Sequence, residues 1–306
     1  MKIFTLKANE NWICDRFAKE WEEGNPHIST ANLLEADVIW LLSSWQWRYI
    51  PMDILTSKKV VATIHHIVPE KFDSNKYNDF KQLEKIVDEF HVPSIKTYEQ
   101  VRELTSTKIS TIPFWVNQNL WYEIERDIMR KKYNFDRDEY LIGSFQRDTE
   151  GHDLRSPKLE KGPDLLCDYI IDQYSKNNRI KVVLAGWRRQ YVINRLQENN
   201  IPYVYHEMCD FKTLNELYNT LDLYLVTARH EGGPQAIVEC ALNKTPIIST
   251  DVGIASTILS DNSIFCDTNR PEPNVAHAYN RVLKYTIPSG FFEFEKMFRS
   301  ILNEGE

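Results

Sequence analysis

Residues 221–256 read LDLYLVTARHEGGPQAIVECALNKTPIISTDVGIAS. An apolar strand-like run, DLYLVTA, leads into the turn Glu231-Gly232-Gly233-Pro234, and the turn opens a segment with helical spacing. Glycines at 232 and 233 permit a tight turn and close backbone approach, and Pro234 suits the first helical position, where no amide donor is needed. Such a strand-to-helix corner turns free N–H groups and the positive end of a helix dipole outward, which predicts an anionic ligand. Two carboxylates bracket it, Glu231 at the mouth and Glu239 in the second turn of the expected helix. That spacing does not make a close catalytic pair. It suits two tasks: Glu231 on polar groups of a reacting substrate, Glu239 accepting from ligand hydroxyls. The plainer alternative is a carboxylate at a helix N-terminus and a solvated helix residue.

The same alternation of strand and helix runs through the neighbouring sequence. EYLIGSF, RIKVVLAG, IPYVYH and TPIIST read as strands, while KGPDLLCDYIIDQYSK, RQYVINRLQENN and TLNELYNTL have helical spacing, with a short helix near 254–259. Nearer the amino end, KIFTL, ADVIWLL and KKVVATIHHIV are strand-like, YNDFKQLEKIVDEF is helical, and HVPSI and TKISTIPFWV are extended. Residues 118–138 read as a connecting helix or linker, and IPSGFFEFEKMFRSILNE as a final helix. This order implies parallel sheets covered by helices on both faces. A chain of 306 residues exceeds one comfortable core, so two domains of roughly 120 to 170 residues are expected. The predicted architecture is α/β, with two Rossmann-like doubly wound domains facing a central cleft. Residues 1–125 form the first and 126–290 the second, and 291–306 form a helix packing back on the first. In open α/β sheets ligands lie beyond the carboxyl ends of the strands, where Glu231 falls.

Composition narrows the function classes. Hydrophobic residues make up 42% and charged residues 26%, as in an ordinary globular protein. No apolar run approaches the ~20 residues needed to span a bilayer, and the opening MKIFTLKANENW lacks the apolar stretch of a signal peptide, which points to the cytoplasm. Cys14, Cys167, Cys209, Cys240 and Cys266 are scattered without a CxxC pair, so they read as free thiols. His152, His206 and His230 lack metal-ligand spacing, and no metal site is expected. A net charge of −7 disfavours general nucleic-acid binding. Arg126, Arg130, Lys131 and Lys132 nevertheless form one local basic patch, read either as a solvated helix face or as a peripheral contact with anionic lipid or an anionic acceptor.

The 221–256 segment closely resembles the glutamate-spaced motif of retaining GT-B glycosyltransferases of glycosyltransferase family 4, the glycosyl transferases group 1. The likeness covers the strand, the Glu-x7-Glu spacing, the small residue after the second Glu, and the Pro-led strand ending in Thr250-Asp251-Val252-Gly253. It implies that Glu231 contacts the transferred sugar and Glu239 the nucleotide ribose. The backbone from Gly232 and Gly233 through Pro234 and Gln235 would then meet the donor diphosphate. A second match, IGSFQRDTEGHDLRSPKLEKGPDLL (142–166), resembles the family's first strand of the donor domain with its Arg and Lys-Gly pair. That places Arg147 and Lys161 on the diphosphate, with Arg155 and Lys158 as rival cations in a loop longer than usual. Two fixed cations suit the chemistry, because negative charge grows on the phosphate as the sugar leaves, and no metal is then needed. Arg in particular grips phosphate oxygens bidentately.

VVATIHHIVP (60–69) resembles the family's strand-end histidine segment, which assigns His65 to the transferred sugar or to orienting the acceptor. Residues 6–15 depart from the family, lacking its glycine pair. YHEMCDFKTLNELY (205–218) is similar to the loop near the nucleotide base, with Met208 and Cys209 as backbone contacts and Trp187 and Arg188 as further candidates. The expected function is therefore metal-independent transfer, with retention, from a nucleoside-diphosphate sugar to a glycan, lipid or small-molecule acceptor. A nucleotide-sugar 2-epimerase and a non-catalytic sugar-nucleotide-binding module are the alternatives. An NAD-binding dehydrogenase is disfavoured, since no GxGxxG follows a strand.

Overall fold

The computed structural model describes residues 1–7, 13–265 and 271–303. Residues 8–12, within the 6–15 segment that departs from the resembling family, and Cys266 lie outside the described residues. The chain divides into two compact units, Met1–Trp115 with Tyr285–Glu306, and Val116–Lys284.

Unit 1 is a five-stranded parallel sheet in the order β1 (Ile3–Thr5), β2 (Val38–Leu41), β3 (Lys59–Thr63), β4 (Glu89–Val92) and β5 (Ile109–Thr111). Its helices are α1 (Ile13–Gly24), α2 (Met52–Ser57), α3 (Ser74–Glu84), α4 (Ile95–Arg102) and a terminal helix, Phe292–Asn303. Strand residues alternate between two cores as the pleat requires. Val38 and Trp40 of β2 join a core with Trp21, Phe291, Phe294 and Phe298, whereas Ile39 and Leu41 join one with Phe80, Leu83 and Phe90. Trp21 sits edge-on to Trp40, Phe291 and Phe298 at 5.5, 5.6 and 5.5 Å between ring centroids. The terminal helix is thus part of this core, and losing a buried ring such as Phe294 would cost on the order of 3–5 kcal/mol.

The helix expected over 77–90 ends earlier, at Glu84. Asp88 accepts a hydrogen bond from the Val60 amide at 2.8 Å and pairs with Lys59 at 2.9 Å, which turns the chain alongside β3 and sets Glu89 and Phe90 in β4. Caps define the helix starts: Asp73 accepts from the Lys76 amide at 2.9 Å and Ser94 from the Thr97 amide at 3.2 Å.

Unit 2 holds a second parallel sheet in the order β10-β9-β6-β11-β12, built from β6 (Tyr140–Ser144), β9 (Ile180–Ala185), β10 (Tyr203–His206), β11 (Leu223–Val226) and β12 (Ile247–Ser249). Two short strands, β7 (Thr149–Glu150) and β8 (Ser156–Pro157), make an antiparallel hairpin beside it. The helices are α5 (Arg126–Lys132), α6 (Pro163–Lys176), α7 (Gln190–Glu198), α8 (Phe211–Tyr218), α9 (Gln235–Asn243), α10 (Ala255–Ile258) and α11 (Val275–Val282). The core pairs Ile142, Val182, Leu184, Leu223 and Leu225 of the sheet with Leu166 and Ile170 of α6 and Val192 and Leu196 of α7.

The first division falls at Trp115/Val116 rather than 125/126. Residues 122–124 are tied to α8: the Tyr122 and Ile124 amides donate to the Asn215 and Asn219 side chains at 3.2 and 2.7 Å. The return falls at Tyr285 rather than 291. There Gly290 lies so close to Trp115 that an added Cβ would stand 2.6 Å from the Trp115 Cβ.

His91 closes a buried chain of hydrogen bonds in unit 1. Trp40 Nε1 donates to Thr63 Oγ1 at 3.0 Å, Thr63 Oγ1 lies 3.0 Å from His91 Nδ1, and His91 Nε2 donates to the Ile112 carbonyl at 2.7 Å. Burial pushes the imidazole down from 6.5 to about 3. The fold therefore favours the neutral ring. This contribution to stability is complete above pH 6.5 and is lost as pH falls toward 3, at up to ~1.4 kcal/mol per pH unit. Urea unfolding between pH 6.5 and 4 should show that slope in the parent and a shallower one in His91→Gln. Equal slopes would assign the acid sensitivity to other groups.

Candidate functional site

The site grows from one close backbone approach in unit 2. Gly162, at the start of α6, has a left-handed φ of 60°, and a Cβ there would lie 1.8 Å from the Thr227 carbonyl oxygen just past β11. Around this contact, Thr227 Oγ1 donates to the Gly162 carbonyl at 2.8 Å, and the Arg229 and His230 amides donate to the Glu160 carbonyl at 2.9 and 3.1 Å. Gln146 Nε2, beyond β6, donates to the Lys161 carbonyl at 3.0 Å. Arg229 grips Asp164 bidentately at 2.7 and 2.6 Å, and this guanidinium holds the Asp164 carboxyl below its usual range. These bonds bring Lys161 Nζ into an ion pair with Glu231, both largely shielded from solvent.

Gly253 completes the corner from the far side. Its φ is 51°, and a Cβ would come within 2.3 Å of the Gly232 carbonyl oxygen and 2.8 Å of the Glu231 carbonyl oxygen. The left-handed glycines at this corner are thus Gly162 and Gly253; neither Gly232 nor Gly233 has a positive φ. Pro234 is the residue before α9, with φ −56° and ψ 111°, and Gln235 takes the first helical position expected for the proline. Glu239 is 5% exposed and accepts a hydrogen bond from Tyr218 at 2.9 Å, so it is not a solvated helix residue. Burial, reinforced by the Glu239 charge, holds the Tyr218 hydroxyl well above its ordinary value and keeps it a donor.

Arg147 follows β6 and is half-buried. Its Nε donates to the Thr149 carbonyl at 3.0 Å, and among the described residues its two terminal nitrogens have no hydrogen-bond partner. Of the rival cations, Lys158 lies 3.6 Å from Glu160, and Arg155 is exposed between β7 and β8. Arg188, a candidate for the donor, donates from its guanidinium to the Gly151 carbonyl, while its own carbonyl accepts from the Asp148 and Thr149 amides at 3.2 and 3.1 Å. Met208, past β10, is 77% exposed. In unit 1, His65 follows β3. Its Nε2 donates to the Leu42 carbonyl at 2.8 Å, its ring is near-parallel to Phe114 at 5.6 Å, and its carbonyl accepts from Thr97 Oγ1 at 3.0 Å.

Sequence reasoning missed Gln146, Asp164 and Thr227, whose bonds to the Lys161 carbonyl, to Arg229 and to the Gly162 carbonyl fix the backbone that carries Lys161. An Asp directly after Lys-Gly-Pro, at the opening of a helix, was the available signal for Asp164. The basic patch is largely neutralised within unit 2. Arg126 and Arg130 both pair with Asp222, Arg130 also donates to the Thr220 carbonyl at 3.0 Å, and Lys132 pairs with Glu216. Burial pulls the Glu216 carboxyl up, but Lys132 and Tyr133 outweigh it and the net direction is down. Among the described residues no helix is long and apolar enough to cross a membrane.

Residues 154–284, somewhat less than half of the chain, match the family model for glycosyl transferases group 1. No match is found among curated proteins. Among solved structures the chain is similar to Anabaena Alr3699/HepE in complex with UDP and glucose, with a TM-score of 0.74 and 13% identity over 98% of this chain and 100% of that one. The same protein in complex with UDP-glucose gives 0.72 and 12%, over 97% and 99%. Sucrose-phosphate synthase (tll1590) from Thermosynechococcus elongatus gives 0.69 and 15%, over 94% and 78%. The fold is that of the GT-B glycosyltransferases.

The close approach at Gly162 can be measured against another left-handed glycine. Gly151, φ 75°, sits in the exposed hairpin, where an added Cβ would meet its nearest atom, in a side chain, at 3.1 Å. Ala at either position carries backbone strain of about 1 kcal/mol. Gly162→Ala also drives a methyl into a backbone carbonyl. Chemical denaturation should therefore show a distinctly larger loss for Gly162→Ala than for Gly151→Ala, and equal losses would rule out the carbonyl contact as the controlling feature.

Proposed function

We propose that the chain is a retaining glycosyltransferase that moves a sugar from a nucleoside-diphosphate sugar, with a UDP-sugar the first choice, to a glycan, lipid or small-molecule acceptor without a metal. The observation that carries this reading is the Lys161–Glu231 ion pair at the carboxyl end of the unit 2 sheet, together with the two terminal nitrogens of Arg147 left to meet an anion. The match of 154–284 to glycosyl transferases group 1, and the UDP, glucose and UDP-glucose named for the similar HepE structures, support it. The protein would act in the cytoplasm.

In this reading the donor diphosphate lies at the start of α9, where the helix dipole favours negative charge, and draws Lys161 Nζ onto its oxygens. Glu231, released from Lys161, accepts from hydroxyls of the transferred sugar, and Glu239, oriented by Tyr218, accepts from the ribose. As the bond between the anomeric carbon and the phosphate oxygen breaks, charge grows on the leaving diphosphate, and Arg147 and Lys161 stabilise it there. The acceptor hydroxyl attacks the face from which the diphosphate departs, and its proton passes to a diphosphate oxygen, so no side-chain base is required. His65, in unit 1, orients the acceptor.

Thermal-shift measurement with UDP-, GDP- and ADP-sugars tests the donor. A ligand at a hundred times its dissociation constant stabilises by roughly 2.7 kcal/mol, and a melting temperature unmoved by all three classes removes the donor assignment. Glu231→Ala should abolish sugar transfer while leaving unfolding nearly unchanged. Parent-level transfer by that variant would exclude the role given to Glu231. Conversion of donor alone into an epimeric sugar nucleotide would replace the transferase reading with the epimerase one.

A further inference from the structure

Three consecutive residues in the turn after β9 each hold a different part of the segment that carries Arg147. Arg189 is fully buried. Its Nε bonds to Asp148 at 2.5 Å, its Nη1 to the Ala185 carbonyl at 2.7 Å and to the Ser144 carbonyl, and its Nη2 to Ser144 Oγ at 3.1 Å. Arg188 holds the Asp148 and Thr149 amides with its carbonyl and the Gly151 carbonyl with its guanidinium, a posture reached from a left-handed φ of 58°. Trp187 holds the side chain. Its indole is 55% exposed, and the guanidinium carbons of Arg147 and Arg188 lie 5.4 and 5.2 Å from the ring centroid.

The consequence is for Arg147 itself. An exposed arginine samples many rotamers, and binding an anion must freeze them. Here the Thr149 carbonyl fixes Nε at 3.0 Å and the indole attracts the guanidinium through its π face, so the terminal nitrogens are oriented before any ligand arrives. We propose that Trp187 is a positioning residue for Arg147, presenting the guanidinium to the diphosphate of a nucleotide. This rests on the reading of Arg147 as a diphosphate ligand. Trp187 acts on phosphate affinity and on the departure of the diphosphate, and has no contact with the base.

The experiment is a double-mutant cycle on the full chain, with binding of UDP and of inorganic pyrophosphate measured by calorimetry. Trp187→Leu should weaken both ligands by the same factor, about 3- to 30-fold for loss of a cation–π contact of this kind, and Trp187→Phe should recover most of it. Arg147→Ala should weaken both more strongly, and adding Trp187→Leu to it should change neither by more than about twofold. In transfer assays Trp187→Leu should lower kcat as well as raise KM. Because the indole is exposed, the thermal midpoint of Trp187→Leu should stay at the parent value, and a large drop would recast Trp187 as a structural residue. Weakening of UDP alone, with pyrophosphate untouched, would make Trp187 a contact to the nucleoside and overturn the proposal. So would an undiminished Trp187→Leu effect in the Arg147→Ala background. If Arg147→Ala leaves both affinities at the parent level, or the parent binds none of UDP, GDP, ADP and pyrophosphate, the diphosphate reading itself falls and takes the proposal with it.

Discussion

Where a side chain on residue 162 would stand, the Thr227 carbonyl already lies, and the candidate site of unit 2 is arranged around that contact. It brings the opening of α6 against the end of β11, two elements far apart in sequence, and so sets Lys161 beside Glu231. A lysine side chain is long and flexible and does not by itself fix which partner it meets. Instead the backbone bonds from Arg229 and His230 to Glu160, and the Arg229–Asp164 pair, remove that freedom. Gly253 repeats the device from the other side, by pressing against the Glu231 and Gly232 carbonyls. Backbone packing thus establishes the geometry, and side-chain charge then exploits it.

Much of the fold could be read from the sequence because period-2 and period-3.6 patterns are strong where strands and helices are buried. β6, β9, β11 and α6 fall close to the segments expected for them. The failures have specific causes. α1 went unseen because its buried face includes Arg16 and Glu20, polar residues that interrupt the apolar stripe. β7 and β8, two residues each, are too short to carry any pattern. The spacing predicts too long a helix before β4 because the apolar spacing of its last turn continues into the strand, while the Asp88 bonds beyond its end are long-range and leave no local sign.

The site was legible to a similar depth. Glu231 and Glu239 could be named as candidates from the corner between them and Arg147 and Lys161 from the family resemblance, with Glu231 anticipated at a strand end and Glu239 inside the helix that follows. What could not be read was which partners those groups hold: the Lys161–Glu231 pair, the Tyr218 bond to Glu239, and the Arg188 grip on the hairpin are products of tertiary packing. Charge runs are subject to the same limit. Arg126, Arg130 and Lys132 look like an open basic face in one dimension, yet Asp222 and Glu216, ninety or so positions away, neutralise them. Exposed pairs of this kind contribute little energy each. Arg130, 6% exposed and bound also to the Thr220 carbonyl, depends on its partners far more than the others do.

The return of Phe291, Phe294 and Phe298 to the core of unit 1 bears on the order in which the two halves can be completed. Unit 2 is one uninterrupted stretch, Val116–Lys284, and holds all of its own strands. Unit 1 begins first on the ribosome, but Trp21 and Trp40 lack Phe291, Phe294 and Phe298 until residues 291–298 have emerged. The half synthesised first is therefore the half finished last. During that interval it presents tryptophan surface that a nascent chain must keep from other hydrophobic partners.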